Sequence, residues 1–137
     1  MRPMKKLPLL CGAALCATLA PLAYAEPLLR CFVTYAGSTH TVEARVVSDP
    51  YPVPSVDIGG RFYFKPVMVG QGQQVEYIKL YTYLDTRRQP VLVQQATYRA
   101  PFPPSASPTL LTGEQTVIAG PVERELQYRC TLQGVQP

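Results

Sequence analysis

Apolar and polar side chains alternate along most of this chain, with a period of two. Over residues 30–36, Cys31, Val33 and Tyr35 share one face; over 40–47, Val42, Ala44 and Val46 oppose Thr41, Glu43 and Arg45. Successive side chains of an extended strand point to opposite faces, so each run predicts a half-buried strand. Gly37 and Ser38 supply the turn between them. Residues 61–69 set Phe62 and Phe64 against Arg61, Tyr63 and Lys65, and Gly70-Gln71-Gly72-Gln73 breaks the run. Residues 75–84, rich in tyrosine and branched side chains, predict a strand that turns at 85–89 and returns over 90–98 as a hairpin. A short strand at 115–119 precedes Gly120-Pro121 and a last strand over 122–132. There Leu126, Tyr128, Cys130 and Leu132 face one way, and Glu123, Glu125, Gln127 and Arg129 the other. No amphipathic helix is read after residue 25. About seven strands with turns between them predict an all-β domain, a single antiparallel β-sandwich or small barrel.

Two proline-rich stretches interrupt the pattern. Pro50, Pro52 and Pro54 occupy alternate positions in 49–56. In an extended chain they remove N–H donors along one side only, which fits an edge strand that resists extension; a polyproline-like loop fits equally. Residues 99–109, with four prolines, predict a surface loop. Gly59-Gly60 predicts a sharp turn or bulge before a strand. A glycine-rich phosphate cradle needs a following helix, and a strand follows here.

The first 25 residues read differently. Arg2, Lys5 and Lys6 precede an apolar run over 7–22, and Ala23-Tyr24-Ala25 has the small–x–small spacing of a signal-peptidase site. The run is short and carries Pro8 and Pro21, unlike a membrane span. The expectation is a signal peptide over 1–25, cleavage after Ala25, and a single β-domain over 26–137 in the periplasm or outside the cell, with no membrane span.

This division changes the charge. Removing three basic leader residues from thirteen leaves ten against nine acids, so the basic character of the whole chain belongs largely to the leader. Nucleic-acid binding draws on a surplus of cations, and none remains in the total; no nucleic-acid partner is expected. Cys11 and Cys16 also fall in the leader, and Leu10 and Leu15 stand immediately before them where a lipidation site needs a small residue. Cys31 and Cys130 remain, and two lone cysteines in an oxidising compartment pair. Both lie on apolar strand faces, so the disulfide is expected in the core, joining the first strand to the last.

Catalytic chemistry finds little to use. His40 is the one histidine. Ser38 beside it has no third group to orient a base and no oxyanion hole in a recognisable pattern. Copper or zinc needs several His, Met or free Cys ligands, and 26–137 offers His40 and Met68. Asp49 and Asp57 do not form a calcium loop. Glu123 and Glu125, about 7 Å apart along a strand, could serve a glycosidase pair, but an exposed polar face accounts for them. No enzyme activity, cofactor or metal is expected.

The richest candidate surface is Tyr77, Lys79, Tyr81 and Tyr83, which share one strand face opposite Ile78, Leu80 and Leu84. If the aliphatic face is the core side, the tyrosines turn toward solvent, where they favour binding. Alternatively a loop or neighbouring strand covers them, with Lys79 reaching outward. Tyr63, with Arg61 and Lys65, extends the same surface if its strand lies alongside.

Tyr128-x-Cys130 resembles the tyrosine two residues before the second cysteine of immunoglobulin domains, which implies a sandwich architecture. The chain has no tryptophan to complete that pattern. Asp49-Pro50-Tyr51, Asp57-Ile58, Gly60-Arg61-Phe62 and the ending from Glu123 to Cys130 resemble an uncharacterised family of small secreted proteobacterial proteins. Periplasmic lysozyme inhibitors are similar in size, β content and disulfide use, though their serine-glycine and tyrosine motifs have no counterpart here. The functional expectation is a non-catalytic domain that binds an unidentified protein or ligand in the cell envelope. The alternative is an inhibitor of a hydrolase such as lysozyme or a protease, with the loop over 100–108 as a plug.

Overall fold

The computed structural model describes residues 2–9, 12, 16–20 and 25–136. Ala23 and Tyr24 of the expected cleavage site, and Cys11, lie outside the described residues. Nine strands follow in order: β1 (Leu28–Tyr35), β2 (Ser38–Val47), β3 (Val56–Ile58), β4 (Phe62–Gln71), β5 (Gln74–Leu84), β6 (Val91–Arg99), β7 (Thr109–Leu110), β8 (Gln115–Ala119) and β9 (Arg124–Gln133). They form one strongly curled sheet in the order β6-β5-β4-β2-β1-β9-β7, with β3 added beside β4 and β8 beside β9. The described residues contain no helix.

The alternation read from the sequence sets which face turns inward. Leu29, Cys31 and Val33 of β1, Phe62, Phe64 and Met68 of β4, Ile78 and Leu80 of β5, and Leu126, Tyr128 and Cys130 of β9 are all buried in one core. The curl brings the two ends of the sheet together across this core. Phe64 on β4 and Tyr128 on β9 pack with ring centroids 5.0 Å apart. The Tyr128 hydroxyl donates to Gln94 Oε1 on β6 at 2.7 Å, tying the far strand across the interior.

Two features depart from a purely antiparallel sandwich. The end of β2 leaves its partner β1 and pairs parallel with β4, through Val46↔Met68 and Val47↔Val69. This short joint converts two antiparallel sets into one half-barrel. The proline stretch at 50–54 is a turn rather than an edge strand: Asp49 Oδ1 accepts from the Tyr51 N–H at 3.0 Å. β3 begins only after it, at Val56. Within 99–109, Arg99 ends β6, Ser105 bridges to Val135 and Thr109 opens β7, which pairs with β9; the rest is the expected loop.

Cys31 and Cys130 stand directly opposite each other in the β1–β9 ladder and are joined by a disulfide. The bond therefore links the first and last strands, fully buried at their centre. Glycines take the bends. Gly59 and Gly60 have φ of 64° and 70° in the β3–β4 turn. There Asp57 Oδ1 accepts from the Gly60 N–H at 2.8 Å. At Gly70 the register shifts, and a Cβ would stand 1.9 Å from the Gln74 carbonyl oxygen, so only glycine fits that bulge.

Burial raises the pKa of two phenols, Tyr98 and Tyr128. The Tyr128 phenol is pushed up to about 12, by burial first and by the neighbouring Tyr98 second, with the Gln94 hydrogen bond acting the other way. Above pH 10 the unfolded tyrosine ionises while the folded one keeps its proton, so unfolding is favoured as pH climbs from 10 to about 12. Denaturant titrations across that range should show the wild type losing its stability advantage over Tyr128→Phe. An advantage independent of pH would contradict the burial of this hydroxyl.

Candidate functional site

The register of β4, β5 and β6 gathers the tyrosines expected from the sequence. Tyr63 pairs with Tyr83, and Lys65 with Tyr81. Tyr81 pairs in turn with Gln95, Lys79 with Thr97, and Tyr77 with Arg99. Because Ile78, Leu80 and Thr82 are buried on the inner side of β5, these partners all lie on the outer face of the sheet. Tyr63, Tyr77, Lys79, Tyr81 and Tyr83 are each half-buried. They are therefore neither sealed inside nor fully open to solvent.

The Tyr81 and Tyr83 rings lie nearly parallel, with centroids 6.2 Å apart. Lys65 Nζ stands 4.9 Å from the Tyr81 centroid and 5.7 Å from that of Tyr83. Lys79 Nζ is 5.7 Å from the Tyr77 centroid. A cation over an aromatic face is attracted by the ring quadrupole, which holds both ammonium groups against the sheet. The register also places Lys65, Lys79 and Arg99 one strand and one outward position apart, on a diagonal across β4, β5 and β6. Diagonal neighbours of this kind are about 7–8 Å apart.

The opposite outer face, on β2, β1 and β9, is different in kind. Arg30 Nε donates to Glu43 Oε1 at 2.9 Å. Thr34 and Thr39 share a hydroxyl hydrogen bond of 2.8 Å, and Gln127 Nε2 donates to Glu125 Oε1 at 2.9 Å. The Arg129 guanidinium lies 4.4 Å from the centroid of the Phe32 ring. Several polar groups there pair with one another, while Arg129 packs on a ring. Among the described residues, the hydroxyls of Tyr63, Tyr77, Tyr81 and Tyr83 have no hydrogen-bond partner, and the cations beside them have no carboxylate partner. What distinguishes this face is its run of tyrosines with two lysines packed on the rings.

The other sequence candidates are dispersed. His40 lies half-buried on β2 opposite Val33, and Ser38 is exposed opposite Tyr35, with no hydrogen bond between them. Glu123 is not on a strand: it sits in the β8–β9 turn at a φ of 51°, so it does not share a strand face with Glu125. The reason is the four-residue turn closed by the Glu123 N–H on the Gly120 carbonyl at 3.1 Å. Asp49 and Asp57 hold backbone N–H groups at their own turns, and Met68 is in the core. Among the described residues no three of His, Cys, Asp and Glu gather as a cation site. The loop over 100–108 is fastened at Ser105, whose N–H donates to the Val135 carbonyl at 3.2 Å and whose carbonyl accepts from Gly134 at 2.7 Å.

Sequence reasoning missed the contribution of β6. Arg99, Gln95 and Leu92 border the tyrosine face, and their parity was obscured by the register shift between Thr82 and Tyr83. No family model, curated protein or solved structure matches the chain. Among the described residues no helix is long and apolar enough to cross a membrane.

Proposed function

We propose that the protein is an exported, non-catalytic β-domain that acts by binding a partner in the cell envelope, with Tyr63, Tyr77, Lys79, Tyr81 and Tyr83 as the contact surface. The supporting observation is the contrast between the two outer faces. One face carries an ion pair and several side-chain hydrogen bonds; the other presents a row of tyrosines with lysines packed on their rings and, among the described residues, no carboxylate partner for those lysines. Tyrosine brings area and a hydroxyl with few rotatable bonds, so a preformed row of this kind loses little entropy on binding. Export is supported by the disulfide and by the composition of residues 1–25, which read as a leader ending at Ala25.

Crosslinking in intact envelopes tests both parts. The wild-type protein should start at Glu26 by intact mass and capture a partner. Tyr81→Ala with Tyr83→Ala should weaken capture by at least about tenfold, as loss of central aromatic anchors does. Capture undiminished in that double variant, with the fold verified by circular dichroism, would remove the surface from consideration.

A further inference from the structure

The strand that borders this face is itself unfinished. β6 pairs with β5 along one side, has no second strand partner among the described residues, and ends the sheet. It is nine residues long, yet none of its residues is fully buried. Val91 and Leu92 are 45% and 49% exposed, and among the described residues only the shorter strands β7 and β8 leave a large apolar side chain more open, at Leu110 and Ile118. Natural edge strands are commonly guarded by proline, charged side chains, bulges or brevity. Here Pro90 precedes the strand, a register shift against β5 and the terminal Arg99 are the guards it carries, and no proline or lysine lies within it. An edge of this kind has backbone donors and acceptors in the spacing another strand needs.

Charge narrows what that strand can be. Residues 57–99, which build β3 to β6, carry six basic side chains against Asp57, Glu76 and Asp85. The remainder of 26–137 carries four basic side chains against six acids, so near-neutrality overall conceals a positive half and a negative half. Arg99 closes one end of β6, and Arg87 and Arg88 are exposed in the turn at the other. Pairing of β6 with β6 of a second copy would bring two sets of these cations together, which like-charge repulsion opposes. Flat stacking of sugars or bases is also disfavoured, because the Tyr81 and Tyr83 ring faces are taken up by each other and by Lys65.

We propose that the free edge of β6 takes an extended acidic polypeptide segment as an added strand, its carboxylates meeting Arg99 at one end and Arg87 and Arg88 at the other. This rests on the binding role proposed above and specifies the chemistry of the partner. An added strand would place its outward side chains beside Leu92, Gln95, Thr97 and Arg99. Backbone hydrogen bonds supply the affinity in this mode, and the outward acids supply the selection.

The test uses the disulfide-bonded protein purified from cells and four probes. These are a capped nine-residue peptide alternating Glu and Val, its Lys–Val counterpart, the Glu–Val peptide N-methylated at alternate residues, and polygalacturonate. The Glu–Val peptide should bind and slow amide exchange over residues 91–99. The Lys–Val and N-methylated peptides, and the Arg88→Gln, Arg99→Gln double variant with the Glu–Val peptide, should each bind weaker by on the order of tenfold or more. Equal binding of the N-methylated peptide would overturn the proposal by showing attraction without strand pairing. Polygalacturonate binding as tightly as the peptide, or self-association that protects 91–99, would overturn it in favour of a glycan or a second copy. If envelope capture depends on Tyr81 and Tyr83 while no acidic peptide binds, the strand proposal falls and the binding role stands. If capture is indifferent to the tyrosines while the peptide binds at β6, the tyrosine surface falls instead.

Discussion

Reducing the Cys31–Cys130 bond should lower the unfolding free energy by on the order of 4–5 kcal/mol, in the chain-entropy treatment of a closed loop of about 100 residues. The bond joins residues separated by 99 positions, so it constrains nearly all of the unfolded domain. Folded proteins of this size are stable by roughly 5–15 kcal/mol, so the reduced protein would stand close to its unfolding midpoint at modest denaturant. Urea titrations with and without reductant check this, and Cys31→Ala with Cys130→Ala gives an independent arm. The slope against urea should also increase on reduction, because an uncrosslinked unfolded chain exposes more surface. A loss below about 1 kcal/mol would show that β1 and β9 hold each other without covalent help.

The second large effect is expected at Phe64. Its ring is fully buried and packs on Tyr128, and these two residues come from strands well apart in the sheet. Phe64→Ala should cost about 3–5 kcal/mol, the range for deleting a buried phenylalanine where the surroundings relax only in part. The loss would fall on closure of the half-barrel. Tyr128 would lose the surface it packs against, and with it the geometry of its bond to Gln94. Thermal and urea unfolding measure the stability, and near-ultraviolet dichroism reports the tyrosine environment. Tyr63→Ala, one position earlier but on the outer face, should cost less than about 1 kcal/mol. Similar costs at 63 and 64 would mean that the inside–outside assignment of β4 is wrong.

Strand parity was the most legible part of this chain. Cys31, Val33, Leu126 and Tyr128 stand at alternate positions of their strands, and one face of each strand is buried, so the register is strongly specified. The same parity put Tyr77, Lys79, Tyr81 and Tyr83 on the outer side of β5. The fold class and the disulfide followed from these positions together. Less legible were features that depend on distant partners. β3 and β7 are three and two residues long, too short to show a period. The parallel joint of Val46 and Val47 to β4 cannot be seen in either segment alone, because a parallel and an antiparallel partner leave the same alternation. Glu123 was assigned to the last strand because it continues the polar face, yet the turn after Gly120 claims it.

The candidate site was legible in its residues and not in its setting. Sequence alone left open whether a neighbour covers the tyrosines; the structure leaves them half-buried beside Lys65 and Lys79. Total charge was a poor guide. Ten bases against nine acids left no cationic surplus in the total, whereas six of those bases lie within residues 57–99, which fold together as β3 to β6. A field is set by where charges sit as well as by their sum.

Joining β1 to β9 through Cys31 and Cys130 also makes the polypeptide a covalent ring from residue 31 to residue 130. A single proteolytic cut at an exposed turn inside that ring, such as the one at Tyr51, severs the backbone without releasing either piece. Nicked molecules would migrate as one species on a gel until a thiol is added, and fragments would part only then.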